Sequence, residues 1–129
     1  MNAITTFRQS AALPVHADFV AAVARRWRSA RNRGQPTQAR LYALLSPHHW
    51  EMLTPVLDSL MTLWESALAR PVATGSGRIL SPDEAMLLAL LDGSVPRRAC
   101  VACPAGPGRA LDCAIATTRI MIGLVARGP

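Results

Sequence analysis

The side chains best suited to chemistry in this chain are its three cysteines, Cys100, Cys103 and Cys113. Two thiolates separated by two residues can bind one metal ion or form a redox pair, so the spacing of Cys100 and Cys103 suggests a metal- or redox-responsive loop. A structural zinc site needs four ligands, and no second pair with ligand spacing is present. The missing ligands would have to come from Cys113, His16, His48, His49 or Asp112. We therefore predict no cofactor, with zinc as the open alternative.

The histidines and Cys113 are better explained by structure than by chemistry. His48 and His49 are adjacent, so on a helix their side chains point about 100° apart and do not easily serve one ion. We interpret them as an exposed helix start. Cys113 lies on the same flank of the last predicted helix as Ile120 and Leu124, where a cysteine is usually a small buried apolar residue. No Ser/His/Asp arrangement or phosphate-binding loop with a known signature occurs, so we predict that the protein is not an enzyme.

The strongest signal in the sequence is the distribution of charge. All 14 basic residues are arginines, and against 8 acids they give a net charge of +6. No acid occurs between Phe19 and Trp50. That stretch carries six arginines, namely Arg25, Arg26, Arg28, Arg31, Arg33 and Arg40. The other eight arginines balance the eight acids, so the whole excess lies in one quarter of the chain.

A concentrated set of guanidinium groups predicts contact with an acidic partner. Arginine binds phosphate and carboxylate oxygens through its planar fork, and a basic patch attracts polyanions by releasing their counterions. We expect a small non-catalytic regulatory or adaptor protein whose six arginines contact nucleic acid or an acidic protein. A merely solvated helix face is the simpler interpretation of the same residues. Two other functions stay open: a metal- or redox-responsive protein using the Cys100 and Cys103 loop, and a structural subunit of a helical assembly.

The elements that must position these residues are predicted to be helices. Half of the residues are apolar and only 5% are aromatic, which favours helices over a β-sandwich. Hydroxyl residues precede prolines at Ser46, Thr54 and Ser81, and such pairs mark helix starts. Ser81 is the best of them, because Glu84 at the third helical position completes a capping box. This pattern predicts a helix over residues 82–92, closed by Gly93.

Apolar residues spaced by three and four predict further helices over residues 18–33, 56–68 and 109–127, and Thr37 is predicted to cap a short one that ends at Leu45. Residues 71–78 and 95–108 are loops by composition. The predicted fold is all-α, a compact bundle of about five helices with irregular connections rich in glycine and proline. It forms one domain over residues 1–129, in which residues 1–16 are an irregular segment.

The sequence also carries expectations about location. The first 15 residues lack an apolar stretch long enough for a signal peptide. The most apolar stretch, residues 110–126, contains Asp112 and Arg119, so we predict no membrane span. We expect a cytoplasmic protein, and its very apolar helices could support a homo-oligomer.

Residues 78–91, RILSPDEAMLLALL, resemble the first helix of winged-helix transcription regulators, which often begins with leucine, a hydroxyl residue, proline and an acid. The resemblance covers 14 residues. Where that family has a second helix and a recognition helix, this chain has the proline- and glycine-rich loop around its cysteines, so we do not assign the family.

Overall fold

The structure, a computed structural model, describes residues 16–127, and for Cys100 and Arg127 the backbone alone. Within this part the chain forms six α-helices, which confirms the predicted all-α bundle, and no strand is present. The helices are α1 (Ala17–Asn32), α2 (Thr37–Leu45), α3 (Thr54–Leu68), α4 (Pro82–Asp92), α5 (Arg97–Cys100) and α6 (Ala105–Arg127). The predicted irregular segment 1–16 lies, apart from His16, outside the described residues.

Helix α1 presents its apolar stripe to the core, as its spacing predicts. Phe19, Val23, Trp27 and Ala30 are each at most 2% exposed. The helix ends just before Gly34, whose φ of 66° lies in the left-handed region that favours glycine. The chain can therefore reverse direction and continue into α2.

Asp58 of α3 joins the first three helices. Its Oδ1 accepts hydrogen bonds from Trp27 Nε1 at 2.9 Å and from Thr37 Oγ1 at 2.7 Å, and its Oδ2 accepts one from Gln38 Nε2 at 3.2 Å. The prediction that Thr37 caps α2 is therefore wrong. Pro36 occupies the cap position, and the Thr37 hydroxyl donates to α3 instead.

The chain between α2 and α3 forms two 3-10 turns, Ser46–His48 and Glu51–Leu53. His49 separates them with a left-handed φ of 62°. The hydroxyl caps predicted here do not form, because neither the first turn nor α3 has a side-chain cap. Thr54 is instead the first residue of α3, and its buried hydroxyl has no hydrogen-bond partner between residues 16 and 127.

Helix α4 begins and ends where its sequence predicts. Ser81 Oγ accepts a hydrogen bond from the Glu84 amide at 3.0 Å, and Glu84 Oε1 accepts one from the Ser81 amide at 2.9 Å. These two bonds are the predicted capping box. Gly93 ends the helix with a φ of 82°. The capping box could be predicted because both of its hydrogen bonds join residues that are three positions apart in the chain.

The last helix starts earlier than predicted. Helix α6 begins at Ala105 rather than near Arg109, inside the stretch predicted to be a loop. Pro107 lies in its first turn, where a missing amide hydrogen removes no helical hydrogen bond. The prediction from composition is wrong here, because proline and glycine are typical of loops but also occur in the first turn of a helix.

Helix α3 is at the centre of the bundle and packs most extensively on α6, with α2 and α1 on its other sides. The core is built of large side chains that are almost fully buried, among them Trp27, Trp64, Leu41, Leu57, Met61, Leu87, Leu111 and Ile122. None of the helices between residues 16 and 127 has the length and apolarity that a membrane span requires.

Candidate acidic-partner surface and cysteine loop

Three of the six arginines form no ion pair within the described part of the chain. Arg26 on α1 and Arg33, the residue that follows the end of α1, are seven positions apart, about two helical turns, so they lie on one side. Arg33 is exposed and Arg26 is half-buried. Arg40, on α2, is also half-buried, and its buried Nε forms no hydrogen bond to any of the described residues. Among the described residues, these three arginines take part in none of the five ion pairs.

Arg25 points into the protein instead. Its Nε and Nη2 donate to the two carboxylate oxygens of Glu84, at 2.9 and 3.1 Å. Its guanidinium also donates to the carbonyl oxygens of Gly77 at 2.7 Å and Ile79 at 3.0 Å. All these bonds reach across more than 50 residues of sequence, so Arg25 fixes the loop before α4 onto α1.

Glu84 is the buried partner in this arrangement, with a side chain that is 0% exposed. Besides Arg25 and the Ser81 amide, it accepts a hydrogen bond from the Gly75 amide at 3.1 Å. Burial alone would raise the pKa of Glu84. The bonds from Arg25, Ser81 and Gly75 outweigh it and hold that pKa below its ordinary value. Glu84 is therefore a buried carboxylate whose negative charge is stabilised by hydrogen bonds from Arg25, Gly75 and Ser81.

Arg28 and Arg31 share one carboxylate on α3. Arg28 is paired with Glu65 Oε2 and also donates to Asn32 Oδ1 at 3.0 Å. The same Glu65 oxygen accepts a hydrogen bond from the Val72 amide at 2.9 Å. Arg31 comes no closer than 3.9 Å to the other oxygen, and half of its side chain is exposed. Arg28 is thus mainly a structural residue, whereas Arg31 keeps its fork open.

A second ion pair at the start of α4 was not foreseen from the sequence. Arg70 Nη1 and Nη2 donate to the two oxygens of Asp83, at 2.6 and 2.8 Å, and the Ala73 amide adds a bond of 2.7 Å. The hydrogen bonds from Arg70 lower the pKa of Asp83 against the opposing effect of burial. Asp83 lies in the first turn of α4, where the helix dipole also favours an acid. Nothing in the local pattern indicates Arg70 as its partner.

The cysteine loop is tied to α6 by Arg97. Arg97 Nε and Nη2 donate to the two oxygens of Asp112 at 2.9 and 3.1 Å, and these bonds lower the pKa of Asp112. Arg97 Nη1 also donates to the Val101 carbonyl oxygen at 3.1 Å and lies 3.7 Å from Cys103 Sγ. Asp112, considered above as a metal ligand, is therefore engaged with a guanidinium.

Models of protein families, curated proteins and solved structures gave no match to this chain. A functional assignment must therefore rest on the contacts within the chain.

Only Cys103 and Cys113 of the predicted cysteine site have described side chains. The side chain of Cys100 lies outside the described residues. Cys103 is half-buried and Cys113 is exposed, so the prediction that Cys113 is a buried apolar residue is wrong. Its helix turns that flank outward, with Ile120 63% and Leu124 54% exposed. Among the residues that are described, no group of three His, Cys, Asp or Glu side chains could hold a metal ion.

Proposed function

We propose that this chain is a small non-catalytic regulatory or adaptor protein whose exposed arginines bind an acidic partner. The observation that carries the proposal is the imbalance of charge on α1 and α2. Arg26, Arg33 and Arg40 take part in no ion pair in the described part of the chain, and Arg31 has only a distant, shared carboxylate. These guanidinium groups remain available for phosphate or carboxylate oxygens.

The six predicted contact residues thereby divide into two roles. Arg25 and Arg28 hold α1 against α4 and α3 through their acids, and they set the orientation of the helix. Arg26 and Arg31 of α1 reach a partner together with Arg33, which directly follows α1, and Arg40 contributes from α2. The partner is a nucleic acid or an acidic protein, since both present charged oxygens to such a surface.

The double variant Arg26→Gln/Arg33→Gln tests this contact. Both side chains lie outside the ion pairs, so the free energy of unfolding should change by no more than about 0.5 kcal/mol per site. Affinity for duplex DNA, single-stranded DNA, RNA and polyglutamate would be measured over a series of salt concentrations. If both arginines contact DNA phosphates, the slope of log affinity against log salt should flatten by up to roughly two units.

A matched control removes the same charge elsewhere. Arg78 and Arg109 are exposed arginines outside α1 and α2, so Arg78→Gln/Arg109→Gln lowers the net charge equally. Under the proposal, this control keeps most of the affinity that the first double variant loses. Equal losses in the two variants would mean that only net charge matters. Absence of binding to all four polyanions at low salt would contradict the proposal outright.

One observation favours a second candidate, a thiol-based redox response at the cysteine loop. The guanidinium of Arg97 lies beside Cys103 Sγ, and a neighbouring cation is typical of the surroundings of reactive cysteines. The neighbouring Cys100 is spaced to form a disulfide with Cys103 after oxidation. The metal-binding form of this alternative has no comparable support.

The rate of alkylation at each cysteine tests the second candidate. Replacing Arg97 with glutamine should slow the modification of Cys103 by iodoacetamide at neutral pH, because the favourable charge is lost. Cys113 serves as the internal control, and its rate should not change. Mass spectrometry of the modified peptides reports each site separately. Faster modification of Cys103 would instead show that Arg97 only shields the loop, and an unchanged rate would show no role for the charge.

A third candidate is the structural subunit of a helical assembly, which includes a homo-oligomer. Its support is the outward flank of α6, where Ile120 and Leu124 are exposed beside small residues such as Gly123. Exposed apolar side chains at helical spacing are typical of contact surfaces between helices. A monomeric mass at high protein concentration, measured by light scattering, would contradict self-assembly through this flank.

A further inference from the structure

A pocket of about 420 Å³ lies where the second half of α1 meets the end of α3. Trp27 and Arg31 line it from α1, and Ser66 lines it from α3. Helix α3 ends at Leu68, and the left-handed φ of 57° at the next residue, Ala69, turns the chain sharply. That turn places Arg70 in the wall of the same pocket. Two arginines that are 39 residues apart in sequence therefore line one cavity.

The guanidinium of Arg31 lies at the pocket and has no acceptor within hydrogen-bond distance in the described part of the chain. Its guanidinium carbon lies 5.3 Å from the centre of the Trp27 ring, and this cation–π contact holds the side chain at the pocket. No hydrogen bond to another described residue uses its five N–H groups, and Glu65 Oε1 is 3.9 Å away. The other oxygen of Glu65 is already occupied by Arg28 and by the Val72 amide. The Arg31 fork is therefore free to bind a ligand.

Two further donors line the pocket with Arg31. The Ser66 hydroxyl is exposed and makes no hydrogen bond within the described part of the chain. Arg70 uses Nη1 and Nη2 on Asp83, whereas its Nε forms no such bond and half of the side chain is exposed. Asp83 keeps the Arg70 guanidinium in a fixed orientation. The pocket thus combines the open guanidinium of Arg31, the remaining Nε–H group of Arg70, whose charge Asp83 offsets, and a hydroxyl.

We infer that this pocket binds the phosphate group of a small phosphomonoester. A phosphate carries about 1.5 to 2 negative charges and three acceptor oxygens, which suits two guanidinium groups and one hydroxyl. Glu65 is the one acid among the described residues that line the pocket, and it is paired with Arg28. The cavity is several times larger than a phosphate ion, so it also has room for an organic group.

This inference goes beyond the macromolecular contact proposed above, with which it shares Arg31 alone. The pocket lies between α1 and α3, whereas Arg26 and Arg33 are absent from its lining. A chain that binds no polyanion would still fill this pocket with a small phosphate ester.

Isothermal titration calorimetry with ribose 5-phosphate, inorganic phosphate and ribose, at one ionic strength, tests the inference. Ribose 5-phosphate should bind with a dissociation constant in the millimolar range or tighter, phosphate more weakly, and ribose not at all. Arg31→Gln should lower the affinity for the ester about tenfold by removing the charged fork. Arg33→Gln removes the same charge two residues away, outside the pocket, and should change the affinity less than about twofold.

The remaining outcomes would each overturn the inference. No heat from ribose 5-phosphate at about 10 mM would show that no millimolar site exists. Equal losses from Arg31→Gln and Arg33→Gln would show unspecific attraction to a basic protein. Binding of inorganic phosphate without binding of the ester would show a simple anion site. Because Arg31 shares no hydrogen bond with the rest of the described chain, thermal unfolding of Arg31→Gln should match that of the wild type and confirm an intact fold.

Discussion

Replacing Arg25 with glutamine should destabilise the protein by about 3 kcal/mol, because it leaves the buried carboxylate of Glu84 without its countercharge. The variant also loses the bonds from the guanidinium to the Gly77 and Ile79 carbonyl oxygens. Urea unfolding followed by circular dichroism measures the change. Arg26→Gln on the next residue is the control, and it should stay within about 0.5 kcal/mol of the wild type because Arg26 has no such partner.

The pH dependence of this difference distinguishes a lost ion pair from a general disturbance. The folded pKa of Glu84 lies below its ordinary value of 4.5, so its contribution to stability is present above that pH and is lost as the pH falls through the lower folded value. Without Arg25, burial dominates and the pKa of Glu84 should rise. The gap in unfolding free energy between wild type and Arg25→Gln should therefore narrow on acidification. A gap that stays constant between pH 7 and pH 3 would contradict the assigned pair.

Replacing Gly75 with alanine should cost about 2 kcal/mol or more, because the loop before α4 has no room for a side chain. A Cβ atom at Gly75 would overlap the carbonyl oxygen of Ile79, and it would lie 2.9 Å from the Ser81 amide nitrogen and 3.0 Å from Glu84 Oε1. Two of these three atoms belong to the backbone, which cannot move aside as a flexible side chain can. Relief of the overlap would break the Gly75 bond to Glu84, so the penalty combines crowding with a lost hydrogen bond.

Gly106 provides the matched control for this substitution. It lies in the first turn of α6, and a Cβ atom there would meet nothing within 4 Å. Alanine has a higher helix propensity than glycine, so Gly106→Ala should leave stability unchanged or raise it by up to about 1 kcal/mol. Thermal unfolding of the two variants side by side makes the comparison. Equal midpoints would contradict the close packing of Gly75 against the start of α4.

The features that could be predicted from the sequence are those set by neighbours along the chain. The capping box of Ser81 and the closing Gly93 depend on residues within one or two turns of each other, and both predictions are confirmed. The bounds of α1 follow from its own apolar spacing in the same way. Such local rules leave few competing structures, because the partner groups are fixed by the helix geometry itself.

The features that could not be predicted depend on distant partners. The sequence shows a stretch without acids. It does not show that Arg25 pairs with Glu84, because this pairing depends on how α1 packs on α4, 59 residues later in the chain. The hydroxyl of Thr37 was assigned to its own helix, yet tertiary packing offers it Asp58, which is a charged and stronger acceptor. The orientation of Cys113 was missed for the same reason. Apolar residues surround most of α6, so the sequence did not indicate which flank faces α3.

The three groups of donors that Glu84 accepts from affect how the molecule unfolds. One carboxylate caps its own helix, receives the amide of Gly75 and holds Arg25, so none of these bonds can be released without exposing a buried charge. The irregular chain before α4 is consequently part of the same cooperative unit as the helices on either side. Its Gly75 and Ser81 amides should be protected from hydrogen exchange as strongly as core amides are, although they belong to no strand, and they should become accessible only when the whole domain unfolds.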